Sequence, residues 1–223
     1  MKKRIISCIL VLILILTSGT SVLAAEIVED NVETAIENGY ALLTNENGDV
    51  YYVKLDEEAV TVQSKTPSND ELSVTKSVTI SSDNIIPAAT TKSNSEEAWD
   101  STSSIKAYTT INYKEDGTPT TYLLTSVSGG FEYYDLDVDV TNQKLIMACK
   151  GPFPSYTDQK VTKYPSSTSF WYSTGFTDYV NTYIAEIGAS YTLTIERNGS
   201  SWTLILLNSL TADEYCKMNR WLV

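Results

Sequence analysis

Between Glu71 and Ser81 apolar and polar residues alternate almost without fault: Leu72, Val74, Val78 and Ile80 hold one parity, and Glu71, Ser73, Thr75, Ser77, Thr79 and Ser81 the other. A period of two sends successive side chains to opposite faces, so the stretch predicts a strand with one face on a core. Lys76 is the one charge on the apolar parity, which predicts a sheet edge. Further strand-like runs follow. Ile105–Tyr113 and Thr120–Val127 flank Glu115-Asp116-Gly117, and Tyr191–Arg197 and Ser201–Leu207 flank Asn198-Gly199. Each reads as a hairpin, the second with the strongest short-range turn signal there is. Tyr40–Thr44 and Asp49–Leu55 around Asn47-Gly48 make a third, with both central residues expected at positive φ. Val60–Gln63 predicts a further extended piece, and Ser169–Tyr172 a short aromatic strand.

Gly129-Gly130 predicts a chain break, followed by a pair of strands over Phe131–Val140 and Lys144–Cys149 joined at Thr141-Asn142-Gln143. Helical spacing is rarer. Val28, Val32, Ala35 and Ile36 before Gly39 predict a short helix over Glu26–Asn38. Thr211-Ala-Asp-Glu214 fits a capping box opening about two turns that carry Cys216. Phe176, Val180, Ile184 and Ile187 leave two readings for Thr177–Glu186, a short helix or an irregular crossover.

The expected class is mainly β: an antiparallel β-sandwich or barrel-like domain, with a small N-terminal helix/β-hairpin segment and a short C-terminal helix. Pro87–Glu97 is small and polar and reads as a linker. The division predicted is a signal peptide at 1–25, a small N-terminal appendage or pro-region at 26–82, a polar linker at 83–104 and the β-domain at 105–223. No internal repeat is evident.

Lys2, Lys3 and Arg4 precede an apolar core, unbroken from Ile9 to Leu16 and counted generously from Ile5 to Leu16, and the small-residue stretch Val22-Leu23-Ala24-Ala25 follows. That order is the layout of a secretory signal peptide, cleaved after Ala24 or Ala25. The run is 12 residues long, against about 20 for a spanning helix. It resembles the export signal of a Gram-positive bacterial secreted protein. With no cell-wall sorting motif or terminal anchor, release into the medium or loose surface association is expected. Removing the three basic residues of the signal leaves 13 Lys+Arg against 28 Asp+Glu, a formal charge of 13 − 28 = −15. Nucleic-acid affinity draws on Lys and Arg neutralising phosphates, so so acidic a chain is a poor candidate for it.

The chain has no histidine. This excludes Ser-His-Asp and Cys-His catalysis, the usual His-ligated zinc sites and an imidazole pH switch. Cys149 and Cys216 are the cysteines left after export, an even pair in an oxidising setting. A bridge would close 67 residues, a loop size associated with about 4 kcal/mol of stabilisation. No cofactor is expected.

Asp135, Asp137 and Asp139 alternate with Leu136, Val138 and Val140, which on a strand projects all three carboxylates from one face. An EF-hand fails because Val140 stands where Gly is needed and Ile146 where Glu is needed. A looser calcium site is the remaining metal candidate, against a solvated strand face. Glu132, Asp135, Glu186 and Glu196 lie near aromatics and could in principle supply a glycosidase pair. Nothing local separates them from surface acids, and no spacing supports a Ser/Lys dyad at Lys160 or Lys163. Aromatics concentrate at Phe131–Tyr134, Phe170–Tyr172, Tyr179, Tyr183 and Trp202. Tyr and Trp offer stiff contact area with a polar tip, so Tyr134, Trp171, Tyr172, Tyr179 and Tyr183 are the ligand-contact candidates. Asn198-Gly199-Ser200 also matches a glycosylation sequon, although the turn explains its Asn-Gly.

The expectation is a non-catalytic extracellular module that binds protein or carbohydrate through an aromatic-bearing sheet or loop surface. The alternatives are a secreted carboxylate-dependent glycoside hydrolase, and an antimicrobial or membrane-active factor carrying an N-terminal pro-segment.

Overall fold

Among the described residues, alternation of β-branched and aromatic residues with short polar ones puts every regular element into extended chain, apart from a 3₁₀ residue at Asn84. The computed structural model describes residues 40–56, 71–81, 84–87, 104–116, 121–152, 156–181 and 186–210. These form twelve strands: β1 (Tyr40–Asn45), β2 (Val50–Lys54), β3 (Glu71–Ile80), β4 (Ile85–Pro87), β5 (Ile105–Glu115), β6 (Thr121–Tyr133), β7 (Val138–Pro152), β8 (Tyr156–Lys163), β9 (Ser169–Ser173), β10 (Val180–Asn181), β11 (Glu186–Arg197) and β12 (Ser200–Ser209). All pairings are antiparallel. A seven-stranded sheet runs β4-β2-β1-β12-β11-β7-β8, and a five-stranded one runs β10-β6-β5-β3 with β9 also on β6.

The inward parities of both sheets meet in one buried cluster, in which Leu43, Leu145, Tyr191 and Leu204 of the larger sheet join Val78, Ile105, Ile111 and Leu124 of the smaller. A polar contact crosses between them. Asn208, fully buried on β12, donates from Nδ2 to the carbonyls of Val74 and Thr109, each at 3.0 Å. A second, smaller cluster on the other face of the larger sheet gathers Leu42, Val50, Ile146, Ala148 and Leu207.

Pairing runs across the predicted linker. β1 lies beside β12, and β3 beside β5, so strands from 26–82 are hydrogen-bonded to strands from 105–223. The linker's own Ile85–Pro87 forms β4 on β2. The alternating 71–81 stretch is β3, an edge strand as Lys76 suggested.

The hairpins differ in their turns. At Asn198-Gly199 both residues take positive φ, 51° and 82°, the two-residue turn that matches strand twist. At Asn47-Gly48 only Gly48 does, at 81°. There the Asn45 side chain organises the loop by accepting from the amides of Asn47 (3.0 Å) and Asp49 (2.8 Å).

Two other expectations are corrected, and one strand was not foreseen. Gly129-Gly130 does not break the chain, because β6 runs through both. A Cβ on Gly129 would stand 2.8 Å from the Phe170 ring, and one on Gly130 2.1 Å from the Thr168 carbonyl. The glycines admit a neighbouring strand instead of ending their own. The turn expected at Thr141–Gln143 lies at Tyr134–Asp137. Thr141 is taken up by a register shift where β7 passes β11, while Asp135 Oδ1 accepts from the Asp137 amide at 3.0 Å to hold the true turn. β8 had no clear sequence signal, since polar residues dominate both parities, with Val161 its one aliphatic side chain.

The segment Thr174–Tyr179 is irregular and leads into β10, so the described part of 177–186 is a crossover. The helices expected at 26–38 and from 211, and the extended piece at 60–63, lie outside the described residues.

Two outcomes follow. Cleavage at a protease site engineered into residues 88–103 leaves two fragments that co-elute under native conditions and part only in denaturant; two separately eluting folded fragments would refute the shared sheets. Asn208→Ala strands two buried carbonyls and lowers stability by about 2 kcal/mol or more, read from the urea midpoint.

Candidate binding face

The face of the five-stranded sheet turned away from the core is built largely from short hydroxyl side chains, with Trp171, Tyr108, Asn112 and Gly130 among them. Register aligns them in rows. Trp171 of β9 sits opposite Ser128 of β6, Ser128 opposite Thr110 of β5, and Thr110 opposite Thr75 of β3. The next row is Ser173, Ser126, Asn112 and Ser73, and the row on the other side is Ser169, Gly130, Tyr108 and Ser77. Neighbouring rows are about 7 Å apart and neighbouring strands about 4.8 Å.

Cross-strand bonds lock the array. The Thr75 and Thr110 hydroxyls lie 2.8 Å apart, and Asn112 Nδ2 donates to Ser126 Oγ at 3.1 Å. At the β3 edge, Asp56 takes hydrogen bonds from Ser77 Oγ (2.8 Å), Thr79 Oγ1 (3.2 Å) and the Thr79 amide (3.1 Å). Its own amide donates to the Ser77 carbonyl at 3.0 Å. Asp56 thereby covers part of an edge that would otherwise offer bare backbone. Lys106 reaches its carboxylate at 3.9 Å.

Trp171 stands at the other edge with 64 % of its surface exposed. Its neighbours decide this orientation. Phe170 and Tyr172 turn inward with ring centroids 5.7 Å apart, and Phe170 meets Tyr191 edge-on at 5.1 Å. The space above Gly129 receives Phe170, and strand alternation then forces Trp171 outward.

The five aromatic candidates are therefore dispersed. Trp171 lies on the outer face, and Tyr172 is half-buried on the inner side with Lys163 Nζ 5.8 Å from its ring centre. Tyr134 is 54 % exposed in the β6–β7 turn, and Tyr179 is half-buried in the crossover before β10. Tyr183 lies outside the described residues. The hydroxyl rows have a signal of their own in the sequence, neither aromatic nor acidic. Ser73, Thr75 and Ser77, Thr110 and Asn112, and Ser126 and Ser128 share a short, uncharged character on the outward parity of three adjoining strands.

Asp135 and Asp137 stand in the turn, and only Asp139 is on a strand, so the three carboxylates do not project from one strand face. Asp135 is committed to Arg197, whose Nη2 lies 3.1 Å from Oδ2 with the guanidinium almost buried. Among the described residues no three Asp, Glu or Cys side chains gather as a metal would need. Glu132 and Glu196 are exposed, and the side chain of Glu186 lies outside the described residues.

Cys149 is buried on the inner side of β7. Its Sγ faces the carbonyls of Asp178 (3.7 Å) and Tyr122 (3.9 Å). Gln159 clasps the same corner. Its Oε1 accepts from the amides of Thr177 (2.8 Å) and Asp178 (3.1 Å), and its Nε2 donates to the Asp178 carbonyl at 2.8 Å. Cys216 lies outside the described residues. Burial pushes the Cys149 thiol from 9.0 up to about 11, against a hydrogen bond at Leu124 that lowers it and with the Asp178 charge adding to the rise.

No known protein family matches the chain, and no curated protein is similar to it. The face must be read on its own geometry.

The Cys149 environment carries a pH signature. Below pH 9 the thiol is protonated both folded and unfolded, and its contribution is intact. Between pH 9 and about 11 the unfolded chain ionises first, so stability falls as pH rises. In reduced protein, the urea midpoints of wild type and Cys149→Ala converge across that window; a gap independent of pH would refute it.

Proposed function

We propose that the mature protein is a non-catalytic extracellular binding module. In this reading the export signal is removed after Ala24 or Ala25 and the chain is released. Its two sheets act as a β-sandwich scaffold, and the outer face of the five-stranded sheet is the contact surface. The observation that carries the reading is Trp171, a large ring 64 % exposed yet fixed on a strand whose two neighbouring rings are packed inward. A tryptophan held rigidly in the open, at the head of a row of hydrogen-bonding groups, is the composition of an interaction hot spot. Ordering losses on binding are small, because the groups that make contact are already fixed by the ladder.

The hydrolase reading has less support. A carboxyl acting as general acid at neutral pH needs an apolar pocket, whereas Glu132 and Glu196 face solvent and Asp135 is paired with Arg197. The pro-segment reading has less support too, since β1 and β3 belong to the ladders that bound the core.

Immobilised mature protein is expected to retain material from its native extracellular medium, and Trp171→Ala to retain at least tenfold less with an unchanged thermal midpoint. Equal retention by the two proteins would remove the face from consideration.

A further inference from the structure

We infer that the ligand of this face is a neutral polysaccharide, lying across the strands along the row Trp171, Ser128, Thr110 and Thr75 with one sugar ring stacked on Trp171. The inference rests on the binding-module reading and adds the chemistry of the partner.

Charge is the first support. The chain carries −12 overall, yet none of the twelve positions in the three central rows bears a formal charge. Charged groups stand at the ends of the array instead, with Lys106, Glu132 and Asp56 at one end and Lys114 at the other. An anionic polymer would find no cation among the rows and would meet the negative field of the whole molecule. A cationic polymer would find no carboxylate there. A neutral ligand loses nothing on either count.

The second support is the match of functional groups. A pyranose has an apolar face of C–H bonds and a rim of hydroxyls. The exposed indole suits the first. Ser, Thr and Asn side chains, which both donate and accept, suit the second. The Thr75–Thr110 bond uses one of the two hydroxyl hydrogens, which leaves the pair a donor and acceptor lone pairs for a ligand. A protein partner is matched less well, because the centre of a protein interface is apolar and aromatic. Here two rings, Trp171 and the half-buried Tyr108, stand among hydroxyls and a side-chain amide.

The third support is dimension. Four strands at about 4.8 Å spacing carry the row across about 14 Å, a length suited to a few linked sugars rather than to one.

The test uses the full mature chain on an array of neutral and anionic glycans, followed by affinity electrophoresis with the polymer retained. Binding to a neutral glycan is expected, with affinity rising from monosaccharide to trisaccharide. Trp171→Ala should weaken it at least tenfold, the paired change Thr110→Val and Ser128→Ala should weaken it severalfold, and Tyr156→Ala on the larger sheet should leave it unchanged. Circular dichroism and thermal midpoints establish that each variant is folded. Retention of anionic glycans alone, no retention of any glycan, or equal binding by Trp171→Ala would overturn the inference. Trp171-dependent capture of a protease-sensitive, glycan-free partner would overturn it while leaving the module reading standing. Loss of every Trp171-dependent interaction would end both.

Discussion

The pairing of β1 with β12 is the constraint on which the remaining architecture depends. It joins the first and last described strands in the middle of the larger sheet, with Leu42 opposite Ile205 and Thr44 opposite Thr203. Tyr51 and Trp202 then meet with ring centres 5.6 Å apart inside the core. Closing so long a loop is entropically costly before any contact rewards it. What offsets the cost is the apolar area that becomes buried only when β1, β2 and β12 share a sheet. Alternation within each strand supplies the faces, but the long-range ladder decides which faces meet. The Asn208 bonds to Val74 and Thr109 then tie that sheet to the other. Because a buried amide without its acceptors is penalised, they help fix one register among those the alternation alone would tolerate.

The outer face of the smaller sheet inherits its order from these inner contacts. β9 can lie on β6 because Gly129 leaves room for Phe170 and Gly130 lets the Thr168 carbonyl accept from the Phe131 amide at 2.9 Å. Thr174 continues the attachment, its Oγ1 donating to the Leu124 carbonyl at 2.7 Å. Trp171 is thus exposed as a consequence of how tightly its neighbours are buried. At the opposite edge, Asp56 serves the equivalent purpose for β3, so both margins of the hydroxyl array are held by side chains that are not part of it.

Sequence patterning made some of this legible and hid the rest for identifiable reasons. β3, β5, β9 and the β11–β12 hairpin were readable because each has either a clean alternation, an aromatic run or an Asn-Gly turn. The edge position of β3 followed from one lysine. Gly129-Gly130 misled because glycine has two uses in a strand, to end it or to admit a close neighbour, and only the position of Phe170 distinguishes them. The turn at Tyr134–Asp137 was missed because its hydrophobic alternation continues through it, while the Arg197 that pairs with Asp135 there comes from a distant part of the chain. That displacement also dissolved the three-carboxylate face. β8 is a polar edge strand whose pairing with β7 is satisfied by backbone, so periodicity had nothing to register. Of the candidate site, the exposure of one ring of the Trp171–Tyr172 pair was implicit in the alternation. Which ring, and the neutral rows beside it, depended on the register of four strands.

Those rows also clarify what the acidic composition does. Carboxylates spread over a protein surface keep molecules apart by mutual repulsion, but the same repulsion would weaken adhesion at any surface where they were concentrated. Segregating charge to the ends of one sheet face leaves a patch where neither the molecule's field nor desolvation of an ion opposes contact. Hydroxyls in such a patch are partly satisfied by one another, as Thr75 with Thr110 and Asn112 with Ser126. They remain in place without a ligand and can exchange partners when one arrives. A rigid indole beside prearranged hydroxyls therefore asks little ordering of either partner. In the proposed reading, that is how a shallow face with modest apolar area would hold a flexible chain that contributes many weak contacts along its length.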